Sequence, residues 1–403
     1  MRPSDPFSEL TLPSPSMYGA GEFETPPTSP AISPNRSSRD YVAWVQGALN
    51  HALGFHLKRT GTIDTLTRRT IMIFQRRNCM KDNGILDRDT ELALQGALKV
   101  AVTKAPMFFG LDTYIKDANP KPNWLKARTE AGISFAIIQS NWGVQQYPQF
   151  FDREWPKIKD AGIVRGAYFF LRLPQYGKWP IDPAVQAQAA TKIIKNLDQS
   201  DLPPVMDVEY SEGEGRHKNP PLGATGQQLL DGVRRAWRVL KDTYKAAPVI
   251  YTSARIWCNY LGNLPAPDLV ESPLWLTPYP FSAHKPAVLD PKAFAPGGWY
   301  FPPPVPRPWG DATNWWIHQY QGDADARRLP GFRQVDMNLF HAMVEGTTGD
   351  RVRWVQRRLR VAQSGTFDAA TKVALAAFKT TKGLDPTPLV DPRTFTFLCW
   401  LNP

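Results

Sequence analysis

Eight apolar runs of strand length, at 107–114, 134–141, 164–172, 203–210, 247–253, 273–279, 315–321 and 335–340, recur across about 240 residues in the middle of the chain. Several are separated by segments of helical periodicity, such as 184–197 and 227–244. Strands that are apolar on both faces must be covered on both, and strands alternating with helices meet that demand by closing into a parallel barrel wrapped by helices. The sequence therefore predicts an α/β fold, a (β/α) barrel whose active face is the rim at the carboxyl ends of the strands. The last connections are short or proline-rich, so helices are expected to be missing there. The insertion at 280–309, with Gly297-Gly298-Trp299-Tyr300 and Pro302-Pro303-Pro304, is expected to loop over one side of the cleft.

On either side of this region the chain repeats itself. Trp44-Val45-Gln46 with Leu49 returns as Trp354-Val355-Gln356 with Leu359. Gly61-Thr62-Ile63-Asp64, Thr67 and Phe74 return as Gly365-Thr366-Phe367-Asp368, Thr371 and Phe378, and Leu86-Asp87 with Thr90 returns as Val390-Asp391 with Thr394. Each copy reads as three helices joined by two turns. Residues 1–38 are rich in proline and serine and poor in aliphatic side chains, which predicts a disordered tail. The expected division is a tail at 1–38, a helical module at 39–100, the barrel at 107–345 and a second helical module at 346–403.

Lys and Arg number 48 against 37 Asp and Glu, and the net charge of +11 favours a polyanionic partner without choosing among nucleic acid, lipid head groups and bacterial wall polymer. The tightest basic cluster, Arg351, Arg353, Arg357, Arg358 and Arg360, has helical spacing and reads as a solvated helix face. Cys79, Cys258 and Cys399 are far apart and have no ligand spacing, so neither a disulfide framework nor a zinc site is indicated. No run reaches the ~18 apolar residues of a membrane helix, and the amino terminus lacks the pattern of a signal peptide. The expectation is synthesis in the cytoplasm, with no membrane insertion.

Chemistry concentrates at the strand ends. Asp207 and Glu209 stand at i and i+2 in Val205-Met206-Asp207-Val208-Glu209, so alternation points both carboxyls one way. Such a pair is expected to push one pKa up and leave the other group ionised, the basis of acid-assisted hydrolysis; a solvated loop start is the plainer reading of the same spacing. If the strands are parallel, Asp112, Tyr114, Gln139, Asn141, Tyr168, Phe170, Tyr251, Trp275, Tyr279, Gln319, Tyr320, Asp336 and Asn338 gather near the same rim. Acids with stacking rings suit a sugar: apolar sugar faces pack on aromatics and hydroxyls bond to acids and amides. His217 and His284 read as surface residues. No phosphate loop, zinc helix or nucleophile elbow is present, so no cofactor and no metal is called for.

The two repeats resemble the peptidoglycan-binding domain 1 family in their first-helix Val and Gln, Gly-x-Phe-Asp turn and later Thr positions. Lys379 departs from the Gln that Gln75 supplies, and Gln46 and Gln356 sit a few residues before the usual Leu partner. The central region resembles the family 25 glycoside hydrolases, TIM-like barrel lysozymes, in Gly110-Leu111-Asp112, Asp207-Val208-Glu209, Val249-Ile250-Tyr251-Thr252, Leu274-Trp275-Leu276, His318-Gln319-Tyr320 and Val335-Asp336-Met337-Asn338. Phe169-Phe170 departs from a Tyr-His pair, and His318 from a Trp. The resemblance implies that Glu209 is the general acid and that Asp207 steadies positive charge, orients the acetamido group or attacks the anomeric carbon. Asp112 and Asp336 would complete the acidic cluster, by chemistry or by hydrogen bonding alone. Tyr114, Tyr168, Tyr251, Trp275, Tyr279, Gln319 and Tyr320 would bind substrate.

The implied function is a monomeric muramidase acting on bacterial peptidoglycan, with a wall-binding module at each end, in the manner of a phage endolysin; nucleic acid is not an expected partner. An injected antibacterial effector, a non-catalytic wall-binding protein with a degenerate barrel, and a chitinase-like barrel are the rivals. The last is weakened because Pro204 and Val205 stand where chitinases carry further aspartates.

Overall fold

The computed structural model describes residues 39–401 with interruptions; 1–38, 95–106, 115–120, 211–222, 278–284 and 290–304, with shorter gaps elsewhere, lie outside the described residues. The proposed tail, most of the 280–309 insertion, Tyr279, His217, His284, Cys79 and Cys258 fall there. Helices α1 (Arg39–Leu53) and α2 (Thr65–Arg77) lie before the barrel among the described residues. The barrel runs β1 (Met107–Thr113), α3 (Trp124–Ala131), β2 (Phe135–Trp142), β3 (Gln145–Gln146), α4 (Pro148–Asp160), β4 (Val164–Phe170), α5 (Pro183–Ile193), β5 (Val205–Asp207), α6 (Gly226–Tyr244), β6 (Val249–Ser253), β7 (Leu274–Thr277), β8 (Ile317–Asp325) and β9 (Gln334–His341). Three helices follow, α7 (Asp350–Leu359), α8 (Ala369–Thr381) and α9 (Pro392–Cys399). Local signals set the helix ends: Asp182 caps α5 ahead of Pro183, and Thr225 with Gln228 forms a capping box on α6. No helix among the described residues is long and apolar enough to cross a membrane.

Strands β1, β2, β4, β5, β6, β7, β8 and β9 close on one another in that order, with β3 a two-residue addition beside β2. Within these eight all neighbours are parallel except β9, which runs antiparallel to both β8 and β1, and the added β3 is antiparallel to β2. The wholly parallel barrel expected from the sequence is corrected here. Residues 326–333 are too few for a crossover, which takes roughly a dozen residues, so the chain turns back. Because β9 runs downward, its opening residues reach the rim where the other strands end, and Asp336 pairs directly with Asp112.

Alternation divides the side chains between two cores. Phe109, Leu111, Ala136, Ile138, Phe169, Met206, Ile250, Leu276, Met337 and Leu339 face outward into the helix layer. Phe108, Phe135, Ile137, Val205, Val249, Trp275, Ile317 and Phe340 fill the lumen. Gly110 is required in this filling: a Cβ there would stand 2.3 Å from the ring of Phe135.

The lumen core continues without interruption into the carboxyl-terminal helices. Phe395 of α9 stacks on Trp316 at 4.3 Å between ring centroids and lies 5.3 Å from Phe340, while Trp354 of α7 lies 5.0 Å from Trp316. Polar contacts surround this plug. Trp354 Nε1 donates to Glu271 O, Trp400 Nε1 to Asp201 O, Arg393 Nη2 to Gly162 O and Arg351 Nη1 to His341 O. Three of these acceptors precede β7, β5 and β4 and the fourth ends β9, so α7 to α9 seal the barrel floor, opposite the rim.

The helices before the barrel have their own core of Tyr41, Trp44, Val45, Leu49, Ile71 and Phe74. The repeat is visible in its hydrogen bonds. Gln46 Nε2 donates to Thr60 Oγ1, Thr62 O and Thr67 Oγ1 while Gly61 N–H donates to Gln46 Oε1. Gln356 does the same with Ser364, Thr366, Thr371 and Gly365. Asp64 and Asp368 each cap the following helix through Thr67 and Thr371. Gln75 bonds Thr90, Ile85 and Gly84; Lys379, in its place, donates to Thr387 O and Leu389 O and meets Asp391 at 3.5 Å.

Truncating Phe395 opens a cavity in this floor, so Phe395→Ala is expected to lower unfolding free energy by about 3–5 kcal/mol in urea titrations. Removing 346–403 is expected to lower the barrel's unfolding midpoint. An unchanged midpoint in the truncated protein would show that the module is a separable appendage.

Candidate active site

The rim closes around a well lined by Asp112, Tyr168, Asp207, Glu209, Tyr251, Trp275, Gln319 and Asp336. Each wall residue arrives by strand alternation. Asp207 and Glu209 flank Val208, which is buried in the outer core, so both carboxyls turn inward from the end of β5. Asp112 ends β1 and Asp336 opens β9 beside it. Tyr168, Tyr251 and Trp275 come from β4, β6 and β7 at adjoining levels of the sheet.

Amides fix one side of the well. Gln319 Nε2 donates to Asp112 Oδ1 at 2.7 Å and to Asp336 Oδ2 at 3.3 Å, and Tyr251 OH donates to Gln319 Oε1 at 2.7 Å. Asn338 Nδ2 donates to Asp112 Oδ1 at 2.6 Å, and Trp275 Nε1 donates to Asn338 Oδ1 at 2.8 Å. Asp336 Oδ1 accepts from the backbone N–H of Asp323. Asp207 differs: its Oδ1 is buried with no hydrogen-bond partner among the described residues. Asp112 and Asp336 are thus clamped by donors, whereas Asp207 presents an unclaimed oxygen to the well.

Burial dominates the electrostatics. It pushes Glu209 up to about 7. It also pushes Asp112 up to about 7, against the hydrogen bonds of Asn338 and Gln319. Asp207 rises well above the carboxylate range through burial and then through the charges of Glu209, Asp112 and Asp336; Asp336 rises through burial and the charges of Asp112, Asp323 and Glu209, against the hydrogen bond from Asp323 N–H. The division expected from spacing, one carboxyl raised and its neighbour left ionised, is not what the well imposes. Desolvation acts on both members of the pair, so they share protons.

The other expected site residues fall as follows. Tyr114 is half-buried just past β1, its hydroxyl pushed up by burial and by Asp323 and Asp336. Tyr279 lies outside the described residues. Tyr320 is corrected: it faces away from Gln319, fully buried in the outer core against Phe109, with its hydroxyl donating to Val288 O. Gln139 stays on the lumen side, but Asn141 does not join it. A bulge at Ser140 shifts the register so that Asn141 pairs with Phe169 and Trp142 with Phe170. Asn141 is buried, bonded to Ser140 and Gly143, while Trp142 stands at the rim, 47% exposed and 4.8 Å from the Phe170 ring. Strict alternation passed over Trp142 for that reason. The cue was Ser140-Asn141 with Gly143, polar and small residues that favour an irregular strand end.

A larger cavity of about 460 Å³ adjoins the well, walled by Trp142, Phe170, Arg172 and Tyr210 among others, and Glu209 lines both.

Residues 114–329 match the family model for glycosyl hydrolases family 25. The chain belongs to this family. Asp112 and Asp336 lie just beyond the two ends of the matched stretch, and the β1–β9 pairing brings them back to it. Residues 38–94 match the model of a putative peptidoglycan binding domain. Among characterised relatives, Lysozyme M1 of Streptomyces globisporus is 29% identical over 170 residues, 40% of this chain and 52% of that protein. The uncharacterized protein YegX of Escherichia coli is 24% identical over 215 residues, 53% of this chain and 61% of that one. The chain thus spans between half and two thirds of the length of these relatives. A bacterial lysozyme of Streptomyces coelicolor aligns with 59% of this chain and 93% of its own at 23% identity and TM-score 0.44. A muramidase of Acremonium alcalophilum aligns with 61% and 96% at 20% identity and TM-score 0.43.

The raised carboxyls have a consequence for stability. A carboxyl whose folded pKa exceeds its unfolded value favours the unfolded state as pH climbs from about 4 upward, because only the unfolded chain ionises freely. Asp207→Asn removes that liability. Its melting temperature is expected to exceed wild type by roughly 2–4 °C or more at pH 7, with the gap closing near pH 4. A gap independent of pH, measured by calorimetry, would contradict a buried, raised Asp207.

Proposed function

We propose that this chain is an endo-β-1,4-N-acetylmuramidase that hydrolyses the glycan strands of bacterial peptidoglycan. The observation that supports this most is the well itself, with Glu209 and Asp207 turned into one desolvated mouth bordered by aromatic rings and amides. Glu209, neutral at mildly acidic pH, protonates the departing glycosidic oxygen, since a group near 7 is poised both to hold and to give up a proton. Asp207 shares protons with Glu209, and in the form where Glu209 holds the proton the Asp207 carboxylate faces the anomeric carbon and serves as nucleophile, charge stabiliser or anchor of the acetamido group. Asp112 and Asp336, held by Gln319 and Asn338, act on Asp207 through their charge. Tyr168, Tyr251 and Trp275 pack against the sugar, and Tyr114 edges the mouth.

In the same reading, residues 39–100 anchor the protein on the wall. The carboxyl-terminal copy, 346–403, keeps the same glutamine circuit while its other face seals the barrel. Tethering to an insoluble polymer keeps the mouth at high local substrate concentration, and the +11 charge adds attraction to anionic wall polymers. A lysozyme with its own wall anchor suits the release of phage from a host, and we assign it the role of an endolysin.

Glu209→Gln is expected to lower the release of reducing sugar from purified peptidoglycan by about 10²–10⁴-fold while sedimentation with the wall persists. Wild-type activity should fall as pH rises through about 7, where Glu209 loses its proton. Equal activity in the variant would leave a wall-binding protein without catalysis. For the anchor, Gln46→Ala removes the bonds to Thr60, Thr62 and Thr67 and is expected to reduce wall sedimentation while cleavage of short soluble glycans is unchanged; unchanged sedimentation would contradict anchoring by this module.

A further inference from the structure

The cavity beside the acid well contains a cation that the reaction above does not use. Arg172 follows β4 and lines this cavity together with Trp142, Phe170 and Glu209. Its position is built rather than incidental. The backbone of Arg172 is clamped on both sides by Gln186, which is fully buried: Arg172 N–H donates to Gln186 Oε1 at 2.9 Å, and Gln186 Nε2 donates to Arg172 O at 3.1 Å. The aliphatic stem lies across Gly143, at φ +57°, where a Cβ would stand 2.8 Å from Arg172 Cδ. A side chain at 143 would displace the arginine, so the bulge that brings Trp142 to the rim also makes room for Arg172. Among the described residues, the guanidinium has no ion pair and no hydrogen bond. The guanidinium stem is partly buried in a cavity that it shares with Glu209, and its planar fork of donors is free to meet an anionic ligand there.

The proposed muramidase reading, on which this inference rests, orders the two cavities. Asp207 belongs to the well alone and Glu209 to both, so the sugar that develops positive charge sits in the well and the leaving strand runs into the larger cavity. There the tilted pair Trp142 and Phe170 offers a ring face to a pyranose. We propose that this cavity is the leaving-strand subsite and that Arg172 pairs with a carboxylate carried by the muramyl units of that strand, making the protein selective for anionic over neutral glycan. The carboxylate is either that of the lactyl group, where the stem peptide is absent, or one of the stem peptide. The chemistry recognised is the same, a planar two-oxygen anion meeting the guanidinium fork.

The test separates this subsite from catalysis by measuring binding in a Glu209→Gln background, with soluble muramyl glycan fragments of three kinds: peptide-free with lactyl carboxylates, peptide-bearing, and peptide-bearing with every carboxyl amidated. Arg172→Gln is expected to raise Kd by about 10-fold or more for one or both anionic fragments, through loss of a charge-assisted hydrogen bond, and to change Kd for the amidated fragment less than about twofold. Arg172→Lys is expected to recover only part of the loss, because an ammonium cannot bind both oxygens in the fork geometry. The response of the two anionic fragments identifies which carboxylate is bound. An equal effect of Arg172→Gln on all three fragments, or no effect on any, overturns the assignment. Failure of wild type to release reducing sugar would overturn the muramidase reading instead, and the binding comparison would still decide whether Arg172 reads a carboxylate.

Discussion

Four carboxyl groups held in one desolvated mouth is the arrangement on which the rest of the structure depends. Like charges about 4 Å apart repel by roughly 4 kcal/mol at the effective dielectric of a protein near its surface, and burial adds to this. The site meets that cost partly by keeping protons on the acids: burial pushes Glu209 and Asp112 up to about 7, and for Asp112 the charges of Glu209 and Asp323 add to it. It meets the remainder with donors: the amides of Gln319 and Asn338 and the backbone N–H of Asp323 reach Asp112 and Asp336. Asp207 receives no such relief at Oδ1, so the strain of the cluster is concentrated on the carboxyl nearest the proposed reaction.

Such a cluster persists only if the cylinder cannot relax and let the acids separate. The lumen is therefore packed with rings below the acids, and its floor is closed by Trp354 and Phe395 against Trp316 and Phe340. The two copies of the helical module show how a repeat acquired this second task. Both keep the glutamine circuit at Gln46 and Gln356. The position of Phe395, in the helix that enters the floor, corresponds to Glu91 in the other copy. In the copy that seals the floor this position is aromatic, and its ring stacks on Trp316.

Much of this was legible from period-two patterning alone. Alternation in Val205-Met206-Asp207-Val208-Glu209 fixes the shared direction of two acids, and the same rule places Asp112, Tyr168, Tyr251, Trp275 and Gln319. It went wrong where local backbone departed from the regular strand or where the rule was not followed strictly. At Ser140 a bulge reversed the faces of Asn141 and Trp142. Tyr320 adjoins Gln319 in sequence and so must face the other way, as its buried bond to Val288 shows. The direction of β9 depends on a connection too short to cross over, and was legible only in loop length. The union of α7 to α9 with the barrel was not legible at all, because an apolar face in sequence does not reveal which surface will cover it. Nor was the upward shift of Asp207 beside Glu209, since the depth of burial is a property of the closed barrel.

The most direct test of the central claim is to digest purified peptidoglycan, reduce the new ends with borohydride and weigh the fragments by mass spectrometry. Cleavage at a mouth that protonates the oxygen leaving N-acetylmuramic acid places the reduced sugar on muramic acid. Fragments reduced at N-acetylglucosamine, or cut only within the peptide stems, would contradict the account.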